Sequence, residues 1–218
     1  MPTPDYSKAL AALERLRAGN ARFVAELRSL QSFPSHARRM ELAAGQSPFA
    51  IVLGCSDSRV PAEIVFDQGL GDLFVIRVAG NVVAPSQIGS VEFAAARYGV
   101  RLVVVLGHSR CGAVEATIEE LNAPSATTPR GLRAIVDRVR PAIEGLRAVG
   151  VDGERLLREG VRANVRASAD HLRHGSSLLE ELRIKDGLLV VGAEYDLETG
   201  IVDFFDGLPP QIQASANK

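Results

Sequence analysis

Three short runs of the chain are apolar almost without a break: 49–54 (FAIVLG), 73–78 (LFVIRV) and 102–107 (LVVVLG). A strand with one face in water alternates apolar and polar residues, so unbroken apolar runs mean strands covered on both faces. Helical patterns separate them. The segment PAEIVF places Pro61 in the first turn of a short helix, 87–98 reads as a helix ended by Gly99, and a third helix runs from about 112 to 121. Strands alternating with helices specify a parallel sheet sandwiched between helical layers. Two later segments, 188–195 (LLVVGAEY) and 201–205 (IVDFF), flank the turn DLETG and supply the final strands. The expectation is an α/β fold: a mostly parallel sheet of about five strands, the last an antiparallel edge, flanked by helices.

An N-terminal helical arm precedes the sheet. Over the first 45 residues Leu10, Leu13 and Leu16 recur at helical spacing, followed by Phe23, Val24 and Leu27. Arg15 and Arg22 fall on the opposite face and Arg17 at the stripe's edge; Pro34 breaks the run, and a short helix restarts over 37–44. After the loop 122–130 (NAPSATTPR) come arginine-rich helices over 131–148, 152–174 and 176–184, with Pro141 kinking or splitting the first. A length of 218 residues suits one domain. Its expected parts are an arm over 1–45, a core over 46–121, a helical region over 122–187 and final strands over 188–206.

With 25 basic and 26 acidic residues, the net charge of −1 argues against a nucleic-acid binder. No stretch approaches the roughly 18–20 apolar residues of a membrane span, and MPTPDYSKAL lacks the features of a signal peptide. Two cysteines do not make a secreted disulfide framework, so a reducing, cytoplasmic setting is expected.

Chemistry concentrates where two apolar strands end. The first is followed by Cys55-Ser56-Asp57-Ser58-Arg59, the third by His108-Ser109-Arg110-Cys111. Ligands of open parallel sheets bind at the carboxyl ends of strands where strand order reverses. If these two strands are neighbours, two thiols, an imidazole and a carboxylate converge there. That donor set suits Zn²⁺; the alternatives are two unrelated core cysteines or a redox pair. Asp57 can complete a closed four-ligand site, or pair with Arg59 through two parallel hydrogen bonds and leave a position open. Zinc with two thiolates and a neutral imidazole has formal charge zero, so its bound water is less acidic than in an all-histidine site, and alkaline conditions favour the active form.

These two motifs, Cys-x-Asp-x-Arg and His-x-x-Cys about fifty residues later, resemble those of β-class carbonic anhydrases, of the plant-like, non-allosteric type. The stretches RVPAEIVFDQGLGDLFVIRVAGN, SVEFAAARYGV and GAEYDLETG share the likeness, which covers about 40–121 and 188–205. The resemblance implies zinc on Cys55, His108 and Cys111, with Asp57 as a fourth ligand in the closed form and as partner of Arg59 in the open one. It implies reversible hydration of carbon dioxide to bicarbonate, with hydroxide on zinc as nucleophile. Gln46 and the Gly112 amide would hold substrate oxygens, Phe74 and Phe93 would line an apolar pocket, and Gln46 would serve the neighbouring subunit's site in a homodimer or homotetramer. Allosteric bacterial members carry tryptophan where this chain has Val52, although Arg77 and Tyr195 match other members of their second bicarbonate site. No proton-transfer residue stands out among His36, His171 and His174. The rival expectations are a carbon disulfide or carbonyl sulfide hydrolase on the same fold and a non-catalytic zinc protein.

Overall fold

The structure is a computed structural model that describes residues 4–30, 34–124 and 127–209. Five strands form one sheet: β1 (Ala50–Gly54), β2 (Leu73–Arg77), β3 (Leu102–His108), β4 (Leu189–Tyr195) and β5 (Val202–Asp206). Their order is β2-β1-β3-β4-β5. The first four are parallel and β5 runs antiparallel along the edge of β4, as the apolar runs predict. Because β1 lies between β2 and β3, the chain leaves it first to one side and then to the other. The carboxyl ends of β1 and β3 therefore flank the reversal of strand order, the place where such sheets leave a crevice.

Alternation along β1 and β3 splits the core into two layers. Ala50, Val52, Leu102, Val104 and Leu106 face α1 (Ser7–Val24) and α3 (Ala62–Val65), packing with Leu13, Leu16, Val65 and Phe66. Ile51, Leu53, Val103 and Val105 face α4 (Pro85–Arg97), α7 (Gly153–His174) and α8 (Ser177–Lys185). A third apolar cluster gathers beyond the strand ends. There α5 (Gly112–Asn122), α6 (Arg130–Ala148) and α7 enclose Cys55 and Cys111 with Val82, Val139 and Val161.

Some boundaries differ from the sequence expectation. The arm's helix stops at Val24, so Leu27 falls outside it and is 64% exposed. The second arm helix, α2, spans His36–Leu42, its start capped by the Ser35 side chain accepting from the Arg38 N–H. Pro61 is the cap of α3 rather than part of its first turn, and α4 begins two residues earlier than expected, with Pro85 in its first turn. Pro141 does not split α6. It lies on the exposed side of the helix, clear of the core, while Val136, Val139 and Ile143 anchor both halves in the core. No helix among the described residues is long and apolar enough to cross a membrane.

Candidate metal centre

Cys55 is the first residue after β1, His108 the last of β3, and Cys111 the cap of α5. Pairing of β1 with β3 brings them together. The two sulfurs and a His108 ring nitrogen lie within 4.8 Å of one another, and all three residues are buried. His108 Nδ1 sits 3.0 Å from the Ser109 carbonyl, which can only accept, so Nδ1 carries the proton and Nε2 presents a lone pair. Nε2 is buried and has no hydrogen-bond partner among the described residues. A buried orphan acceptor is costly, and one beside two thiols fits a bound cation. Tetrahedral zinc takes this Cys–His–Cys set and leaves a fourth position.

The protons on the cluster follow from its crowding. The Cys55 thiol is drawn down to about 4, first by its hydrogen bond with Cys111 and against the cost of burial, with help from His108 and the backbone N–H groups of Asp57 and Gly80. Cys111 is pushed up because it donates to that thiolate and is itself buried. Burial opposes charge on His108, but the neighbouring Cys55 thiolate and Asp57 carboxylate outweigh it, and its value rises. One thiolate thus forms readily, and a metal ion is what would deprotonate the second.

Asp57 pairs with Arg59. Arg59 donates to it through Nε (2.9 Å to Oδ1) and Nη2 (2.7 Å to Oδ2), and the Arg59 backbone N–H adds a bond of 2.9 Å. The Arg59 guanidinium holds the Asp57 carboxyl well below the usual carboxylate range, outweighing the small cost of burial. Oδ2 remains 3.8 Å from His108 Nε2, close enough to face whatever occupies the cluster.

Of the other expected residues, Gly112 opens α5 beside Cys111, in the turn whose N–H groups lack helical acceptors. Gln46 does not join the ligands. It precedes β1 while Cys55 follows it, so a strand of about 17 Å separates them. Gln46 instead donates to the Tyr98 hydroxyl at 3.1 Å. Phe74, Phe93 and Tyr98 form a ring cluster with centroids 5.7–6.2 Å apart, and Phe93 is 52% exposed. These residues make a separate patch on the outer side of the molecule.

Some contacts that shape the site were not singled out by the sequence. Arg77, at the end of β2, donates to the carbonyls of Cys55 (3.0 Å) and Asp57 (2.6 Å), bracing the turn that carries both groups. Ser109 ties the second ligand turn to the last hairpin: its N–H donates to the Tyr195 carbonyl and its hydroxyl accepts from the Leu197 N–H, each at 3.0 Å. Both residues stand inside the motifs or strands already marked, but backbone-directed bonds of this kind leave no pattern in a single sequence.

Comparison with known proteins agrees with this geometry. Residues 50–202 match the family model described as carbonic anhydrase. The chain is 42% identical over 192 residues to carbonic anhydrase 2 of Mycobacterium tuberculosis, covering 88% of this chain and 90% of that protein. Among solved structures it resembles a β-carbonic anhydrase of the fungal pathogen Aspergillus fumigatus, with TM-score 0.70 and 27% identity over 96% of both chains. It also resembles tetrameric β-carbonic anhydrases of Sordaria macrospora, with TM-score 0.66 and 27% identity over 77% of this chain and 85% of that one. A match spanning both ligand turns, on a fold that gathers a Cys–His–Cys cluster at the strand crossover, makes this chain a member of the carbonic anhydrase family, of the β class, whose zinc enzymes interconvert carbon dioxide and bicarbonate.

Proposed function

We propose that Cys55, His108 and Cys111 hold one zinc ion per subunit and that Asp57 and Arg59 are the dyad that makes the site catalytic for carbon dioxide hydration. The orphaned, buried Nε2 of His108 between two thiols carries the metal assignment. Held by these three residues, a zinc ion would supply the Lewis acidity that lowers the pKa of water. Arg59 keeps both Asp57 oxygens occupied from the far side, so the carboxylate stands beside the cluster as a hydrogen-bond acceptor instead of closing it. A carboxylate cannot donate, so it orients the nucleophile's proton toward itself and its lone pair toward carbon dioxide. The Gly112 amide steadies a product oxygen; its position at the start of α5, next to Cys111, supports this.

Gln46, Phe74 and Phe93 are assigned to the site of a neighbouring subunit. Support comes from their distance from this chain's own ligands, the exposure of Phe93, and an open groove of about 630 Å³ lined by Leu42, Gln46, Arg97 and Tyr98 among others. The working unit is then a homodimer, or a homotetramer built from it; tetramers occur among the structural relatives. The chain works as a single domain, acts in the cytoplasm, where two free thiols stay reduced, and belongs to the non-allosteric type. Supporting that type, Val52 is fully buried where the allosteric relatives carry tryptophan, and Arg77 is already committed to two backbone carbonyls.

Stopped-flow hydration of carbon dioxide tests the proposal. Asp57→Asn should depress kcat by about a hundredfold while the protein keeps its zinc. Loss of the metal from that variant would overturn the dyad role, and zinc-loaded wild-type protein inactive at alkaline pH would overturn the catalytic reading.

A further inference from the structure

The sulfur of Cys55 accepts a hydrogen bond from the Gly80 N–H at 3.3 Å. The carbonyl of the same glycine accepts one from Asn164 Nδ2 at 2.7 Å. Asn164 lies on α7, 84 residues further along the chain, and is 2% exposed. Its neighbours on the buried stripe of α7 include Val161, Val165, Ala169 and Leu172. An amide in such a stripe destabilises the core unless it is hydrogen-bonded, and here its donor goes to the residue that touches the first sulfur.

The surrounding backbone makes this link stiff. Gly80 has φ +67°, a left-handed conformation, and a Cβ there would meet the Ala113 Cβ at 2.9 Å, so the position admits glycine and little else. Gly80 therefore has no side chain to hold its peptides in place. What brings α7 close enough to do so is Gly107, the residue before His108, where a Cβ would lie 2.5 Å from Val165 Cγ2.

We infer that Asn164 is a positioning residue of the metal centre: by fixing Gly80 it aims an N–H at the Cys55 sulfur and so sets that ligand's direction and electron donation. The inference rests on the reading that Cys55 ligates zinc. Partners of this kind around a metal typically change its affinity ten- to a hundredfold. It also ties α7, which contributes no ligand, to the chemistry of the site.

The test compares Asn164→Ala and Asn164→Ser with wild type and with Leu172→Ala, a packing control on the same helix. Chelator competition reads zinc affinity, and replacement of zinc by cobalt(II) reads the sulfur-to-cobalt charge-transfer band. Both Asn164 variants should bind zinc about ten- to a hundredfold more weakly and shift the band, while Leu172→Ala lowers Tm and moves neither. An unchanged affinity and band in a folded Asn164 variant, or the same shift in Leu172→Ala, would overturn the inference. A wild-type protein that takes up no zinc and shows no such band would instead overturn the zinc reading beneath it.

Should neither Asn164 variant fold, the wild-type protein decides. Coupling is reciprocal, so zinc loading should slow solvent exchange of the Asn164 side-chain amide more than that of Asn20. Asn20 is also buried but is tied to the Val65 and Gly200 carbonyls, on the other face of the sheet. Equal slowing of the two would overturn the inference.

Discussion

At the scale of single residues, His108 shows how burial turns into a demand for a ligand. Its ring is fully enclosed, one nitrogen is satisfied by Ser109, and the other has no hydrogen-bond partner among the described residues. Removing the metal from loaded protein should therefore cost stability. At free zinc a hundredfold above Kd the linkage is about 3 kcal/mol, which for a chain of this size lowers Tm by roughly 5–10 °C on chelation; equal melting curves with and without chelator would refute this. Glu194 on β4 makes a pH prediction. Burial raises its pKa, and the Arg162 pair 3.1 Å away does not fully compensate. The folded chain then binds a proton more tightly than the unfolded one. Stability from this group is complete below the ordinary glutamate value of about 4.3 and is lost as pH rises through the raised value. Glu194→Gln should gain in Tm relative to wild type between pH 4 and pH 8, by calorimetry; a variant that loses ground over that interval would contradict the burial argument. The ligand residues were legible in the sequence because donor types at short spacing are visible there. The two-pronged geometry of the Asp57–Arg59 pair was not, since only side-chain conformation sets it.

At the scale of elements, continuous apolar character marked β1, β3 and β4, because strands buried on both faces have few polar positions to obscure them; the partly exposed β2 and β5 show as shorter apolar runs that carry Arg77, Asp203 and Asp206. Helix ends were read less well. The apolar stripe of α1 seemed in sequence to extend through Phe23, Val24 and Leu27, yet the helix stops at Val24, and Glu26 adopts a left-handed conformation with φ +58°. What anchors α1 is Leu13 and Leu16, both fully buried against the sheet. Leu13→Ala should destabilise the protein by about 2–5 kcal/mol, whereas Leu27→Ala should stay within about 0.5 kcal/mol of wild type. Urea unfolding of both variants checks the contrast, and equal losses would mean that the end of the arm packs more tightly than its exposure implies.

At the scale of the whole molecule, the residues expected to contact substrate fall into two groups that one chain does not bring together. Asp57, Arg59 and Gly112 surround the cluster, while Gln46, Phe74 and Phe93 sit with Tyr98 on an outer patch. Under the proposed dimer, Phe93→Lys places a charge in the subunit interface. It should shift sedimentation toward monomer and lower kcat/KM together, with activity recovering as protein concentration rises. A monomeric variant with full activity would refute the shared site. The sequence by itself determined the α/β class, the strands and the donor set, because periodicity and residue chemistry are local and survive in a linear string. Tertiary structure decided which strands are neighbours, that Arg59 grips both oxygens of Asp57, that Arg77 and Gly80 brace Cys55, and that Gln46 lies a strand's length from the ligands. Those facts depend on hydrogen bonds and packing between residues up to 87 positions apart (Leu102 and Leu189), whose partners are chosen by the closed core and not by their neighbours in the chain.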